Sequence, residues 1–189
     1  MAVNSATKLQ AIEIAKGYLQ LRGFNGFSFQ DIADELGIRK ASLHYYFASK
    51  EDLGLALIED YTHSFQEWAK KHEELEPVEK IKKFIDMYYF FSQDDLKVCP
   101  GGVFCIDYNT LPTKLKKAVS DFQQNTQDWL EETIRQGIKS KTLKPTLKPK
   151  ETAALFYSTA QGSLQVARMQ NNPKVMKNTC LSLLSLLEK

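Results

Sequence analysis

Residues 28–50 read SFQDIADELGIRKASLHYYFASK and carry the clearest structural pattern in the 189-residue chain. Three apolar residues near its start repeat at helical spacing: Ile32, Ala33 and Leu36. This spacing predicts a short amphipathic helix. Ser28 precedes the helix as a candidate N-cap, and Asp31 sits where a carboxylate favours the free amides of the first turn. Gly37 is expected to end the helix, since glycine adopts the left-handed conformation of a sharp exit.

A second short helix is predicted directly after the Gly37 turn. Leu43 and Phe47, four residues apart, would anchor it against the first helix. That packing leaves small, polar and aromatic residues on its outward side: Ala41, Ser42, His44 and Tyr45. Two helices around a tight turn with such an outward face predict a helix-turn-helix, whose second helix reads the major groove of DNA.

Apolar periodicity predicts helices along most of the remaining chain. One helix is expected at about residues 7–22, where Thr7 and Gln10 fit a capping box. The others are expected from Lys50, from Pro77, and over about 103–110, 113–140, 149–170 and 173–187. In the last two helices the expected buried residues are Ala153, Phe156, Ala160, Leu164 and Ala167 in the first, and Val175, Leu183 and Leu187 in the second. Loops are predicted at 96–102 and 141–150, which contain prolines. The fold class is therefore predicted to be all-α with about nine helices. Residues 1–50 would form a DNA-binding domain, and residues 51–189 a helical ligand-binding and dimerisation domain.

Composition indicates an ordinary soluble protein, with 43% hydrophobic and 25% charged residues. The longest apolar runs, such as residues 87–91, are too short to span a bilayer, so no membrane partner is expected. The amino terminus, MAVNSATK, lacks the apolar core of a signal peptide, which predicts a cytoplasmic location.

The net charge of +2 hides an asymmetry along the chain. Residues 1–50 carry six Lys/Arg against four Asp/Glu, residues 51–134 nine against seventeen, and residues 135–189 ten against two. The predicted DNA-binding segment is only weakly basic, which favours specific contacts on a small footprint over general polyanion binding. The basic carboxy-terminal third is interpreted as exposed helix faces that offset the acidic middle.

Catalytic and metal-binding patterns are missing from the sequence. Its three cysteines, Cys99, Cys105 and Cys180, are odd in number and lack C-x-x-C spacing, so neither a disulfide framework nor a zinc site is expected. No nucleophile–base pair, paired-carboxylate motif or phosphate loop occurs. The sequence therefore predicts that the protein is not an enzyme and needs no cofactor or metal.

Residues 22–53, RGFNGFSFQDIADELGIRKASLHYYFASKEDL, resemble the amino-terminal signature of the tetracycline-repressor (TetR) family of bacterial transcription regulators. The later helices resemble the family in number, length and order. The resemblance implies a homodimer that binds a palindromic operator in double-stranded DNA. It also implies repression until a small-molecule effector binds the carboxy-terminal domain.

The resemblance assigns roles to the motif residues. Four positions match base-reading positions of the family: Gln30, Lys40, Ala41 and His44. Five match phosphate-binding positions: Ser28, Ser42, Tyr45, Tyr46 and Lys50. The chemistry agrees, because glutamine suits adenine, lysine suits guanine, and alanine can touch a thymine methyl, whereas hydroxyls and ammonium groups suit phosphates.

Some of these positions keep alternatives. Arg39 stands where many members place a capping serine, so either the cap is lost or Arg39 adds a charge contact to DNA. His44 stands at a position that is commonly tyrosine, so its base preference does not transfer. Tyr46 could be core, and Lys50 could be a solvated lysine at a helix start.

A sensor domain of this kind needs a cavity with apolar and aromatic walls. Eight aromatic residues are candidates: Trp68, Phe84, Tyr88, Phe91, Phe104, Tyr108, Trp129 and Phe156. Each of them could equally be ordinary core. Together they favour a hydrophobic or aromatic effector.

Two alternatives to a small-molecule regulator stay open on the same fold. Cys99 is predicted in a flexible Pro-Gly-Gly loop, where its thiol could be exposed. Lys97 and the helix starting near Val103 could lower the pKa of this thiol, so Cys99 or Cys105 could sense oxidants or electrophiles. Passive cysteines are the competing interpretation. The other alternative is a DNA-binding or architectural protein without a ligand.

The last two helices are expected to form the dimer interface as a four-helix bundle. Small residues on the first of them would allow close approach: Ala153, Ala160, Gly162, Ser163 and Ala167. A two-fold dimer then places its two reading helices about 34 Å apart, or a multiple of that distance, to match successive major grooves.

Overall fold

The computed structural model describes residues 2–93 and 97–189, with side chains from residue 6 onward. Within these ranges the fold is all-α, as predicted. It contains nine α-helices and a 3-10 turn at Tyr108–Thr110. The helices are α1 (Ala2–Arg22), α2 (Phe29–Leu36), α3 (Lys40–Tyr46), α4 (Lys50–Lys71), α5 (Pro77–Gln93), α6 (Pro100–Ile106), α7 (Thr113–Lys139), α8 (Pro149–Met169) and α9 (Lys174–Leu187).

Two predicted helix starts are wrong. Helix α1 begins at Ala2, so Thr7 and Gln10 lie inside it and form no capping box at its start. Helix α6 begins at Pro100, and Gly101 and Gly102 are helical. Proline tolerates the first turn because its missing N–H would have no helical partner there. The predicted loop at 96–102 is therefore partly helical, and Leu96 lies outside the described residues.

Local hydrogen bonds explain why α2 begins and ends as the sequence predicted. The Ser28 hydroxyl accepts from the N–H groups of Gln30 and Asp31 at 3.2 and 3.4 Å. The Asp31 carboxylate in turn accepts from the Ser28 N–H at 2.8 Å, which completes a capping box. Gly37 has a φ of +66° and ends the helix in the left-handed conformation.

Helix α3 lacks such a cap. Arg39 occupies its N-cap position and makes no side-chain hydrogen bond to the helix, so the cap is lost. The helix is held instead by packing, because Leu43 and Phe47 are buried as predicted. Ser49 caps the next helix: its hydroxyl accepts from the Asp52 N–H at 3.1 Å.

The chain divides into two compact units. Unit 1 comprises Met1–Ser64 and Pro100–Phe122, and unit 2 comprises Phe65–Cys99 and Gln123–Lys189. Helix α6 thus packs in the unit that contains the helix-turn-helix, although it lies in the middle of the chain. The functional division at residue 50 remains a prediction.

Unit 2 is built on the packing of α5, α8 and α9. All five residues predicted for the inward face of α8 are buried: Ala153, Phe156, Ala160, Leu164 and Ala167. The predicted inward face of α9 is confirmed at Leu187, which is buried, and wrong at Val175 and Leu183. Met176, Cys180 and Leu184 are fully buried, while Val175 and Leu183 are partly exposed. In a short leucine-rich helix, neighbouring positions offer two similar apolar faces, and packing against α8 and α5 selects one.

The capping box predicts how the pKa of Asp31 responds to mutation. Hydrogen bonds from the Ser28 hydroxyl and the Ser28 backbone N–H hold the pKa of Asp31 below its ordinary value of 3.8. We expect Ser28→Ala to raise this pKa towards 3.8, which carboxyl NMR titration would measure.

Stability should follow the same linkage. A depressed folded-state pKa stabilises the fold above the unfolded value, and this stabilisation is lost as the pH falls through the folded value. Ser28→Ala should therefore flatten the acid limb of the stability profile. Ser42→Ala, at an exposed serine of α3, is the control and should leave the Asp31 titration unchanged. An unchanged Asp31 pKa in Ser28→Ala would contradict the capping role.

Candidate nucleic-acid interface and effector site

The outward face of α3 carries the residues that the sequence placed there. Five residues along the helix are exposed: Lys40, Ala41, Ser42, His44 and Tyr45. Tyr45 is 74% exposed, although a tyrosine ring in a monomer normally finds some cover. Leu43 lies on the opposite side of α3 and is buried. Helix α3 thus presents a continuous polar and aromatic surface on a rigid support.

Two predicted base readers make local contacts. The Gln30 side-chain amide donates to Asp34 Oδ1 at 2.7 Å, so it would exchange this hydrogen bond for one to a base. The His44 ring packs edge-on against Phe29, with centroids 5.0 Å apart. Arg39 is exposed, so its guanidinium is accessible for a charge contact.

Tyr46 and Lys50 are less available to phosphate than the sequence suggested. The Tyr46 ring is half-buried and lies edge-on to Tyr45, with centroids 5.3 Å apart. The Lys50 ammonium donates to the Phe27 carbonyl and lies over the rings of Phe24 and Phe27 at 4.9 and 4.7 Å. Burial lowers the pKa of Lys50. A phosphate contact would require the ammonium to leave this carbonyl, so Lys50 has a structural role that the sequence did not reveal.

Asp107, which follows α6, fastens the link between α1 and α2. Its Oδ2 accepts from the Phe24 N–H at 2.7 Å and from the Asn25 N–H at 3.3 Å. Its Oδ1 accepts from the Asn25 side-chain amide at 3.0 Å, and this amide also donates to Thr110 Oγ1 at 2.8 Å. A side chain at Gly23, which has a φ of +83°, would place its Cβ 3.0 Å from Asp107 Oδ2. We call this arrangement the Asp107 clamp.

Sequence reasoning missed the Asp107 clamp. A single aspartate 83 residues beyond its partner leaves no periodic signal. The only local hint is the GFNG turn at residues 23–26, whose backbone N–H groups need an acceptor.

Six of the eight candidate effector residues form one aromatic cluster in unit 2. Its members are Trp68, Phe84, Tyr88, Phe91, Trp129 and Phe156. The ring centroids are separated by 4.6 Å for Phe84–Tyr88, 5.1 Å for Trp68–Trp129 and 6.4 Å for Phe84–Phe156. These distances are typical of favourable aromatic pairs in a packed core.

Phe104 and Tyr108 do not join this cluster. The Phe104 ring packs on Phe24 at 5.6 Å within unit 1. Tyr108 is exposed, and its hydroxyl lies 2.9 Å from Ser120 Oγ. Phe104 in α6 and Tyr108 in the 3-10 turn after it both belong to unit 1, which their position in the sequence did not indicate.

A small polar group adjoins the aromatic cluster at Tyr88. The Gln161 amide donates to the Tyr88 hydroxyl at 3.1 Å and to Cys99 Sγ at 3.4 Å. The Cys99 thiol lies 3.7 Å from the same hydroxyl. Burial raises the pKa of Tyr88 well above its ordinary value of 10.0, so the hydroxyl stays neutral and can donate or accept.

The expected exposure of Cys99 is wrong. Cys99 is only 5% exposed and is held by Tyr88 and Gln161, because α6 begins at once after it. Cys105, on the outer side of α6, is the exposed cysteine of this region. The third cysteine, Cys180, is buried on α9, where burial raises the pKa of its thiol.

Comparison with known proteins covers both parts of the chain. The model of bacterial regulatory proteins of the tetR family matches residues 11–57, and the model of the tetracyclin repressor-like C-terminal domain matches residues 77–183. An uncharacterized HTH-type transcriptional regulator in the lacX 3' region of Lactococcus lactis subsp. lactis is 23% identical over 181 residues, which are 91% of this chain and 88% of its own.

Solved structures agree with this fold. A TetR-family transcriptional regulator from Agrobacterium tumefaciens superposes with a TM-score of 0.94 at 23% identity, over 98% of this chain and 100% of its own. A TetR transcriptional regulator from Legionella pneumophila gives 0.86 at 27% identity, over 95% and 96%. No helix in the described ranges has the length and apolarity needed to cross a membrane.

The Asp107 clamp predicts a large effect from a single substitution. Asp107→Ala leaves the part-buried Phe24 N–H without its acceptor, which costs about 1–3 kcal/mol, whereas water can replace the acceptor at the exposed Asn25 N–H. We expect a loss of about 2 kcal/mol in the free energy of unfolding, measured by urea denaturation of the full chain.

A matched control is Asp121→Ala in the same unit. Asp121 forms only an exposed ion pair with Lys117, at 2.6 Å and four residues away, which contributes about 0.5 kcal/mol or less. Equal losses in the two variants would show that the Asp107 clamp is not a special contact.

Proposed function

We propose that this chain, which belongs to the TetR family of bacterial regulatory proteins, is a transcriptional repressor that acts in the cytoplasm. It binds a palindromic operator as a homodimer and leaves it when a small hydrophobic or aromatic effector binds. The observation that carries the proposal is the exposed polar face of α3, mounted on the capped helix α2.

The proposed roles of the residues on α3, and of Gln30 on α2, follow from side-chain chemistry. Lys40 and Gln30 reach base edges, where a lysine contacts guanine and a glutamine contacts adenine. Ser42 and Tyr45 place hydroxyls against phosphates, which set the register of the helix on DNA but carry no sequence information. Arg39, freed from a capping role, adds a charge contact to the backbone.

An exposed stripe on α8 supports the proposed dimer. Residues Leu155, Gly162, Val166 and Met169 recur at three-, four- and seven-residue spacing and are all exposed, Met169 by 87%. An apolar helical stripe of this kind favours burial against a partner helix. Gly162 has open space where a side chain would be, which permits close approach. The other small residues that were expected to allow close approach of a partner do not face outward. Ala153, Ala160, Ser163 and Ala167 are buried within their own chain.

The effector acts by binding one conformation of the dimer better than the other, since only differential affinity moves such an equilibrium. The aromatic cluster with its Tyr88–Gln161 polar pair has the composition of a site for an aromatic molecule. Helix α6 begins next to Cys99 in the chain and ends at the Asp107 clamp. We infer that a shift of α6 changes the orientation of the helix-turn-helix, and hence the distance between the two α3 helices of the dimer. The burial of Cys99 favours this over a cysteine-based signal.

The first test separates base readers from phosphate holders. Lys40→Ala should cost about 1–3 kcal/mol on the operator and relax the preference at one base position, because a specific contact is lost. Tyr45→Phe should weaken binding to all sequences alike. Affinities for operator and scrambled DNA, measured by fluorescence anisotropy across a salt series, give both quantities.

The control is Lys114→Ala at an exposed lysine of α7, outside the helix-turn-helix. It should leave affinity and specificity as they are. If Lys40→Ala binds operator and scrambled DNA with the wild-type ratio, Lys40 does not read a base.

The dimer proposal is tested on the exposed stripe of α8. Val166→Glu places a charge in the proposed interface, where its desolvation without a partner is costly. We expect the variant to sediment as a monomer and to lose the symmetric operator footprint. Leu147→Glu, at another exposed apolar residue, should remain dimeric. A dimeric Val166→Glu with an intact footprint would place the interface elsewhere.

A further inference from the structure

A cavity of about 280 Å³ opens in unit 2, beside the carboxyl end of α4, the first turn of α5 and the second half of α7. Of the aromatic residues predicted for an effector site, Trp129 is the one that lines it. The cavity is therefore distinct from the interior of the aromatic cluster and shares one wall with it.

The floor of the cavity contains a buried lysine with an incomplete set of partners. Lys80 is only 8% exposed, and its Nζ donates to Gln136 Oε1 at 3.2 Å. The Gln136 amide is itself oriented, because its Nε2 donates to Glu132 Oε1 at 3.2 Å. An ammonium has three N–H donors, and among the described residues Gln136 is the acceptor for one of them, so the others can serve a ligand.

Lys80 also lacks a counter-charge in direct contact. Glu73 and Glu132 line the same cavity, yet within the described ranges neither forms an ion pair with Lys80. A buried ammonium whose partner is a neutral amide carries a desolvation cost that an anionic oxygen would offset. The cavity floor is thus better suited to an anionic ligand than to the amide alone.

The wall of the cavity is a fixed aromatic ring. Trp129 is partly exposed, and three rings hold it from behind: Trp68 at 5.1 Å, Phe84 at 5.9 Å and Phe65 at 5.9 Å. A ring that is held in place loses little freedom when a ligand packs on it. It therefore offers a preformed surface to a flat apolar group.

We propose that this cavity binds small aromatic carboxylates, with the carboxylate on Lys80 Nζ and the ring against Trp129. Only the further step, in which such a molecule acts as the effector, rests on the proposed function. Binding to the cavity itself does not depend on DNA.

The test compares three ligands of the same shape and different charge on the full-length protein. They are phenylacetate, the neutral phenylacetamide and the cationic phenethylamine. The readout is the indole N–H signal of Trp129 in ¹H–¹⁵N NMR spectra, assigned with Trp129→Phe. We expect phenylacetate to shift this signal with about tenfold higher affinity than phenylacetamide, as one hydrogen bond to a charged group implies.

Variants identify the group responsible. Lys80→Met keeps the stem but removes the ammonium, so the tenfold preference for the carboxylate should disappear. Lys83→Met, at an exposed lysine of the same helix, should keep it. The three-ligand comparison on the unchanged protein stands even if Lys80→Met is poorly folded.

Three results would overturn the proposal: no shift with phenylacetate, equal affinity for all three ligands, or tighter binding of phenethylamine through Glu73 and Glu132. Release of operator DNA is measured separately by anisotropy. Binding of phenylacetate without DNA release supports the cavity site and contradicts only its role in the proposed function.

Discussion

The position of the recognition helix α3 depends on one carboxylate, that of Asp107. The turn between α1 and α2 exposes two successive backbone N–H groups, and neither has a helical acceptor. Asp107 supplies that acceptor from the end of α6, and Gly23 leaves the space for it to approach. Because this turn sets the direction in which α2 leaves α1, the orientation of α3 follows from a contact made more than eighty residues further along the chain.

A cation holds the same turn at its other end. Lys50, at the start of α4, donates to the Phe27 carbonyl and covers two rings of the turn. Burial lowers the pKa of Lys50, while the charge of Asp107 acts in the opposite direction and favours the ammonium. The turn is therefore bound on both sides by charged groups that also stabilise each other. A displacement of α6 would carry Asp107 away from the turn, so that the Asp107 hydrogen bonds and the attraction that favours the Lys50 ammonium would weaken together.

The sequence predicted what depends on local or periodic signals. The capping box at Ser28, the left-handed exit at Gly37 and the buried face of α8 all follow from neighbouring residues. The predictions were wrong where tertiary contacts determine which side of a helix is buried. The burial of Cys99, the turning of Phe104 away from the aromatic cluster, and the inward face of α9 depend on distant partners. Lys80 gave no signal at all, because a lysine in a helix is ordinarily solvated.

The two candidate ligand surfaces of unit 2 differ in what binding requires. The aromatic cluster is close-packed, with ring centroids 4.6 to 6.5 Å apart, so a ligand must separate rings that already stabilise the fold. The Lys80 cavity is open beforehand and contains a charge that lacks an ionic partner among the described residues. A ligand therefore reaches the cavity without opening the core. Since Trp129 belongs to both, a molecule on the cavity wall contacts the same ring that packs against Phe84, and this shared ring is the physical route from the cavity to the core of unit 2.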